Sequence, residues 1–282
     1  MVSFIRSLLG KRGFQLRKLT LINLRGQIIH PLEVAYTTGK IGLIPSVLMD
    51  IPVSKCRTQL WNTLEESKNP FVKTIVDYSN NKASGYDSAA IKAYYKSYVP
   101  NNACEVLRLS DNEVLKQIPA HGYLLPWDNQ TADEIIKTRE RVALNENRQE
   151  GKQIDISAGY TDFGPVDTEK GEIEFKRLVK TFENIKKQGY IENPYLPDGA
   201  IKGYFLIGEN NDWCFIVKSG KHRAYALSAI GYQNIPVVVD CNIGMVKRVN
   251  DLRFWPHVNN GIFSKKEAYT VANKMLDVAN QG

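Results

Sequence analysis

The chain has few cysteines and histidines, with four of each among 282 residues. The cysteines lie far apart and form no Cys-x-x-Cys pair, which is typical of a reducing compartment and gives no metal-binding signature. Three of the histidines stand singly, without the spacing of metal ligands, so no metal-ligating residue is assigned. These isolated residues are Cys56, Cys104, Cys214, Cys241, His30, His121 and His257.

The chain also lacks a long apolar run, and no segment approaches the roughly 20 uninterrupted apolar residues of a membrane-spanning helix. Residues 1–30 contain no acidic side chain and interleave basic with apolar residues. Lys11 and Arg12 interrupt the apolar centre of this segment, which argues against a secretory signal. The segment suits either an amphipathic anchor on an anionic membrane surface or a basic first helix packed on the body. We therefore expect a cytoplasmic protein, peripheral on the inner membrane under the first alternative.

Outside the first 30 residues the chain has almost no excess of positive charge, although the formal net charge is +7. Of the 37 basic residues six lie in that segment, so the remaining 31 stand against 30 acidic residues. The six are Arg6, Lys11, Arg12, Arg17, Lys18 and Arg25. A protein that tracks DNA usually carries its basic excess on the docking domain. Nucleic acid is therefore not the expected partner.

Residues 31–150 are predicted to form a mainly helical part. The stretch 41–55 is suited to short strands or an extended loop, because Pro45 and Pro52 exclude a long helix. Residues 131–153 are mostly polar and charged, which predicts a solvated helix ending near Gly151. This low hydrophobicity marks the boundary to a second part, residues 151–282.

Two aromatic groups in the first part have alternative interpretations. Tyr94, Tyr95 and Tyr98 could line a sugar or base site, but half-buried packing is the favoured interpretation. Trp127 lies in the turn Leu-Leu-Pro-Trp-Asp-Asn and is predicted to be exposed. Near the end of the chain Trp255 could close over a ligand or pack the last helix on the sheet, and packing is again favoured.

Residues 155–175 combine glycines, a proline kink and acidic side chains. This composition predicts a long irregular loop that enters a helix over residues 171–189. Asp162 lies in the loop, and Glu172 and Glu174 lie at the predicted start of the helix. The helix dipole favours a carboxylate at this position, so these residues need no catalytic role. A general base is the alternative.

The most informative stretch is residues 213–240, which predicts a strand, a tight turn, a helix and a second strand. A hairpin over residues 204–217 leads into it, and a capped helix closes the chain. At the turn, Gly220 is followed by Lys221, His222 and Arg223. Cations are unfavourable at a helix N-terminus unless an anion is expected there, so the pattern predicts a phosphate site. In the alternative interpretation His222 only holds the turn by hydrogen bonding.

The pattern Gly-x-His-Arg-x-x-Ala, followed by Gly and Ile-Pro-Val, resembles the core signature of the ParB/sulfiredoxin superfamily. Residues 155–240 carry this resemblance. The matching positions are Gly220, His222, Arg223, Ala224, Gly231, Ile235, Pro236 and Val237. The resemblance implies an α/β fold with a ParB-like mixed sheet over residues 151–282, preceded by the mainly helical part. It also implies that residues 220–223 bind nucleotide phosphates.

Within this superfamily the chain is most similar to the small-molecule kinases. Sulfiredoxins have a cysteine immediately before the His-Arg pair, where this chain has Lys221. The second phosphate motif of the partition proteins, Glu-Asn-x-x-Arg, is missing after Arg223. In the serine kinases a glutamate just ahead of the corresponding helix is the catalytic base. Glu172 or Glu174 is the nearest match.

We therefore expect a nucleotide-dependent phosphotransferase that uses ATP or ADP with Mg²⁺ and acts on a hydroxyl of a small molecule or glycan precursor. The resemblance links such proteins to bacterial surface polysaccharide biosynthesis. The catalytic candidates are Glu172, Glu174 and Asp162, and the nucleotide-binding candidates are Gly220, Lys221, His222 and Arg223. One alternative is a ParB-like module that binds DNA or a protein partner without phosphotransfer. In a purely structural alternative, the three cations would be an unexplained electrostatic cost.

Overall fold

A seven-stranded mixed sheet runs through the computed structural model, which describes residues 21–39, 46–58, 62–194, 196, 199–239 and 244–277. Its strand order is β1-β2-β8-β6-β7-β3, and β9 pairs with β6. Strands β4 and β5 form a separate antiparallel pair. The strands are β1 Leu21–Asn23, β2 Ser46–Pro52, β3 Cys56–Thr58, β4 Gly159–Tyr160, β5 Phe163–Val166, β6 Lys202–Ile207, β7 Trp213–Ser219, β8 Asn234–Val239 and β9 Val246–Arg248.

Helices cover both faces of the sheet. Their bounds are α1 Pro31–Gly39, α2 Pro70–Ser79, α3 Ala90–Ser97, α4 Ala103–Val106, α5 Glu113–Lys116, α6 Ala132–Gln149, α7 Thr168–Gln188, α8 Lys221–Ile230, α9 Pro256–Asn259 and α10 Lys265–Leu276. Polar side chains cap the N-termini of several of these helices. Asp167 accepts a hydrogen bond from the backbone N–H of Lys170 at the start of α7, and Ser264 with Glu267 forms a capping box on α10.

Two hydrophobic cores lie on opposite faces of the sheet, because side chains alternate along each strand. Phe215 and Val217 of β7 pack into the core that contains α2, α3, α7 and α8. Cys214 and Ile216 pack into the other core, with α4 and α10. The two faces therefore present separate surfaces near the end of β7.

The expectation of an α/β fold with a mixed sheet is confirmed, but strands from both sides of residue 150 share that sheet. Strand β2 pairs antiparallel with β8 from Val47 to Pro52, and β3 pairs parallel with β7. Buried strands carry short apolar runs that periodicity alone does not assign. The sheet therefore does not begin at residue 151. Residues 31–150, predicted to be mainly helical, supply strands β2 and β3, and β1 lies within the first 30 residues. The specific ParB-like architecture stays a prediction.

The strand-turn-helix-strand prediction for residues 213–240 is confirmed by β7, α8 and β8. The prediction of an exposed Trp127 is wrong, since this side chain is only 2% exposed. Its indole N–H donates to the Tyr204 hydroxyl at 2.8 Å, and its ring lies 4.9 Å from that of Trp255 in a T-shaped contact. Trp127 and Trp255 therefore both pack in the core.

The tyrosines of α3 also have packing roles. Tyr94 and Tyr95 donate their hydroxyl hydrogens to the backbone carbonyls of Asp162 and Thr161, at 2.8 and 2.7 Å. These bonds fix the turn between β4 and β5. They therefore position Asp162 rather than line an open site.

Most of the basic N-terminal segment, residues 1–20, lies outside the described residues, and with it the predicted membrane anchor. The part that follows belongs to the body: β1 pairs with β2, and Arg25 forms ion pairs with Asp50 at 2.9 Å and Glu192 at 2.6 Å. Across the described ranges, no helix has the length and apolar character needed to cross a membrane.

Candidate functional site

Gly220 forms the sharp turn between β7 and α8. Its φ of +80° lies in the left-handed region, which favours glycine. A Cβ at this position would lie 3.0 Å from the Ile201 Cα and 3.1 Å from the Ala200 carbonyl oxygen. The first helical bond runs from the Ala224 N–H to the Gly220 carbonyl at 3.0 Å. The N–H groups of residues 221–223 therefore have no acceptor within the helix.

We expect Gly220→Ala to lower the free energy of unfolding by about 1–3 kcal/mol, from the positive φ and the backbone contact together. Gly231→Ala at the other end of α8 is the matched control, since its φ is +101° and a Cβ there would have nothing within 4 Å. Urea unfolding of both variants measures the difference. Equal losses would mean that the contact with residues 200–201 contributes nothing.

Lys221 pairs with Asp162, one of the predicted catalytic residues. Its ammonium nitrogen lies 2.6 Å from both carboxylate oxygens. Asp162 is only 6% exposed and lies in the turn between β4 and β5. The fold therefore brings a predicted base into direct contact with a predicted phosphate ligand.

His222 lies in the first turn of α8 and faces Glu174 of α7, the second carboxylate near this helix start. The distance from His222 Nε2 to Glu174 Oε2 is 3.4 Å. Among the described residues no donor forms a well-aligned hydrogen bond with this oxygen. The other oxygen of Glu174 lies 2.5 Å from Lys170 Nζ and 3.1 Å from Arg177 Nη1.

Glu174 and Lys170 form an ion pair with no solvent exposure. Lys170 Nζ also donates to the Asn147 side-chain oxygen at 2.8 Å, which anchors the pair to α6. Burial by itself would raise the pKa of Glu174, but His222, Lys170 and Arg177 outweigh it and lower the pKa. Glu174 is therefore a weak base held as a permanent anion, suited to positioning His222.

Glu172 does not join this cluster. Helix α7 begins at Thr168, three residues earlier than predicted, because the Asp167 side chain caps it there. Gly171 therefore lies inside the helix, where the Tyr86 ring packs against it. Glu172 is exposed and lies 3.9 Å from Lys176. Residues two apart on a helix do not share a face, so Glu172 points away from Glu174.

The contacts of Asp162 and Glu174 change the interpretation of the Lys-His-Arg sequence at residues 221–223. Asp162 forms an ion pair with Lys221 and Glu174 faces His222, so carboxylates of the chain itself already stand at this helix start. A guanidinium nitrogen of Arg223 lies 3.2 Å from the ideal Cβ position of Gly220, so this side chain lies against the turn. Under a purely structural interpretation, the electrostatic cost of basic residues at this helix start is therefore no longer unexplained.

A shallow polar cleft of about 220 Å³ opens beside His222. It is lined by Glu150, Arg177, Lys180, Thr181, Asn184 and His222. Sequence reasoning did not find the four α7 residues of this group. Their spacing of three, one and three places them on one helix face, and that periodicity was the available signal.

Among the described residues, no group of three or more histidine, cysteine or acidic side chains is placed to hold a metal ion. We compared the chain with family models, curated proteins and solved structures, and none of these comparisons gave a match. The ParB/sulfiredoxin resemblance therefore stays a prediction.

Proposed function

We propose that the chain binds a nucleotide by its phosphates at the start of α8 and transfers a phosphoryl group to a hydroxyl of a small molecule or glycan precursor. The observation that carries this proposal is the convergence of Gly220, Lys221, His222 and Asp162 at one uncapped helix start. Helix N-termini bind phosphate through free N–H groups and the positive end of the dipole.

In this proposal Lys221 and His222 can each still contact a phosphate group. An ammonium group has three N–H donors, and Asp162 takes two of those of Lys221. The third is available for a phosphate oxygen. His222 borders the cleft that also contains Arg177 and Lys180, which would attract the remaining phosphate charge.

Asp162 is the preferred general base of the three candidates. Glu174 has a lowered pKa and no solvent exposure, and Glu172 points away. Asp162 would accept the proton of the substrate hydroxyl while the oxygen of that hydroxyl forms a bond to the terminal phosphorus of ATP. The bond between that phosphorus and the oxygen that links it to the rest of ATP breaks, and ADP leaves with the electron pair of this bond.

Mg²⁺ in nucleotide sites is bound by one or two carboxylates together with the phosphates, and it neutralises their charge. Both oxygens of Asp162 are already in contact with the Lys221 ammonium group, which supplies positive charge at this position. A cytoplasmic location with membrane contact through residues 1–30, and a role in polysaccharide biosynthesis, rest on the sequence and on the resemblance.

A second candidate is a nucleotide-binding module that acts on a partner without phosphotransfer. It is favoured by the contacts of both carboxylates, since carboxylate oxygens that already contact Lys221 or face His222 are less open to a substrate hydroxyl. This candidate shares the phosphate contacts and differs only in the fate of the nucleotide.

We expect micromolar binding of at least one of ATP, ADP, CTP and GTP in calorimetric titrations with Mg²⁺. Lys221→Gln and Arg223→Ala should each weaken it at least about tenfold, the effect of losing a charge-assisted hydrogen bond. Lys266→Gln, an exposed lysine on α10, is the control and should bind like the wild type. Failure of all four nucleotides to bind would contradict both candidates.

A further inference from the structure

A second cleft, of about 200 Å³, lies on the opposite face of the sheet from α8. It opens between residues 127–130 and side chains of β6, β7 and β9. Lys218 has the same orientation along β7 as Cys214 and Ile216, whereas α8 packs on the face of Phe215 and Val217. This cleft is therefore separate from the proposed nucleotide site, and nothing inferred from it rests on the proposed function.

The loop that forms one wall of the cleft is firmly held. Asp128 accepts a hydrogen bond from the Leu125 N–H at 2.9 Å, and Trp127 donates to Tyr204 on the sheet. The His257 ring nitrogen Nε2 lies 3.0 Å from the carbonyl oxygen of Gln130. The wall is therefore preformed, and a ligand would bind without first ordering it.

The cleft contains two lysines with no carboxylate of the described residues within ion-pair distance. Lys247 is half-buried in β9 and Lys218 is exposed in β7, and neither forms an ion pair with any residue in the described ranges. Burial lowers the pKa of Lys247, Asp128 opposes that shift, and the positive charge of Lys218 adds to it. A partly buried ammonium without a partner costs stability, and a bound anion would remove that cost.

The other groups at the cleft suit hydroxyls. Asp128 supplies a carboxylate acceptor, and the amides of Asn129 and Gln130 supply both donors and acceptors. We propose that the cleft binds a small polyhydroxylated anion, such as a sugar phosphate or a sugar acid, with Lys218 and Lys247 on its charged group. The carboxylate and amides opposite would contact its hydroxyls.

The test is a titration of the full chain with glucose 6-phosphate, glucuronate, inorganic phosphate and glucose, followed by calorimetry and tryptophan fluorescence. Trp127 lines the cleft and should report occupancy. We expect glucose 6-phosphate or glucuronate to bind with a dissociation constant below about 1 mM, and glucose at least about tenfold more weakly. The tighter of the two anions identifies the charged group.

Lys247→Met, which keeps an apolar stem, should weaken this binding at least about tenfold, and Lys218→Gln should weaken it severalfold. Without ligand, Lys247→Met should melt at the same temperature as the wild type or higher, because an unpaired charge has been removed. Lys266→Gln is the neutral control, and Lys221→Gln should bind the sugar anion normally, which separates this site from the one at α8.

Three results would overturn the inference. One is the absence of binding by all three anions up to about 10 mM. Another is equal affinity of Lys247→Met and wild type. The third is a lower melting temperature of ligand-free Lys247→Met, which would make this lysine a stabilising part of the fold.

Discussion

Glu174→Gln is expected to lower the free energy of unfolding by about 3–5 kcal/mol, the usual cost of removing one partner of a buried ion pair. The substitution keeps the side-chain shape but leaves Lys170 as a charged group without solvent exposure. Arg177 and His222 would also lose the carboxylate that they face. Urea unfolding at neutral pH measures the loss.

Glu172→Gln is the matched control, because Glu172 is on the same helix but exposed, 3.9 Å from Lys176. Exposed pairs contribute about 0–1 kcal/mol, so this variant should unfold nearly like the wild type. Combining Glu174→Gln with Lys170→Met should restore much of the loss, since the isolated buried charge is then gone. Equal losses in the two glutamine variants would refute a stabilising role of the buried pair.

We also expect the free energy of unfolding to depend on pH through the Glu174 carboxylate. Glu174 has a lowered pKa in the folded protein, so it binds protons more weakly there than in the unfolded chain. Its stabilising contribution is complete above the unfolded pKa of about 4.5 and is lost as pH falls towards the lower folded value. The decline of stability from about pH 5 to pH 3 should therefore be shallower in Glu174→Gln than in the wild type.

The local chemistry at the start of α8 could be predicted from the sequence, but its partners could not. A glycine between an apolar strand and a helix indicated the turn, and Gly220 has the positive φ that such a turn requires. The helix dipole indicated that the cations need an anion. Which anion this is depends on tertiary packing. Lys221 contacts Asp162, 59 residues away, because Tyr94 and Tyr95 of α3 hold the β4–β5 turn beside the start of α8.

The fold shows the same limit. The apolar stretch at residues 46–52 was compatible with a strand, but only its pairing with β8 shows that it belongs to the central sheet. A turn sequence suggested exposure of Trp127, whereas the hydrogen bond to Tyr204 fixes it in the core. Glu174 and Glu172 looked equivalent until the start of α7 at Thr168 set which of them faces inward.

Asp162→Asn is expected to lower phosphoryl transfer by about 10²- to 10⁴-fold, the usual contribution of a general base. Nucleotide affinity should hold or rise, because the substitution removes a negative charge and releases Lys221 for the phosphate. A coupled assay of ADP release, with a screen of hydroxyl acceptors, measures the first quantity, and calorimetry the second. Glu172→Gln is the control for loss of a carboxylate elsewhere.

The two measurements together separate the possible roles of Asp162. If it acts as the base, turnover falls and binding does not; if it only holds Lys221 in place, both fall together and Lys221→Gln reproduces the loss. Nucleotide binding without turnover by the wild-type chain, across the acceptor screen, would favour the binding module over the phosphotransferase. In that case the Asp162–Lys221 pair would tune affinity for the phosphate, since the carboxylate competes for the same ammonium group.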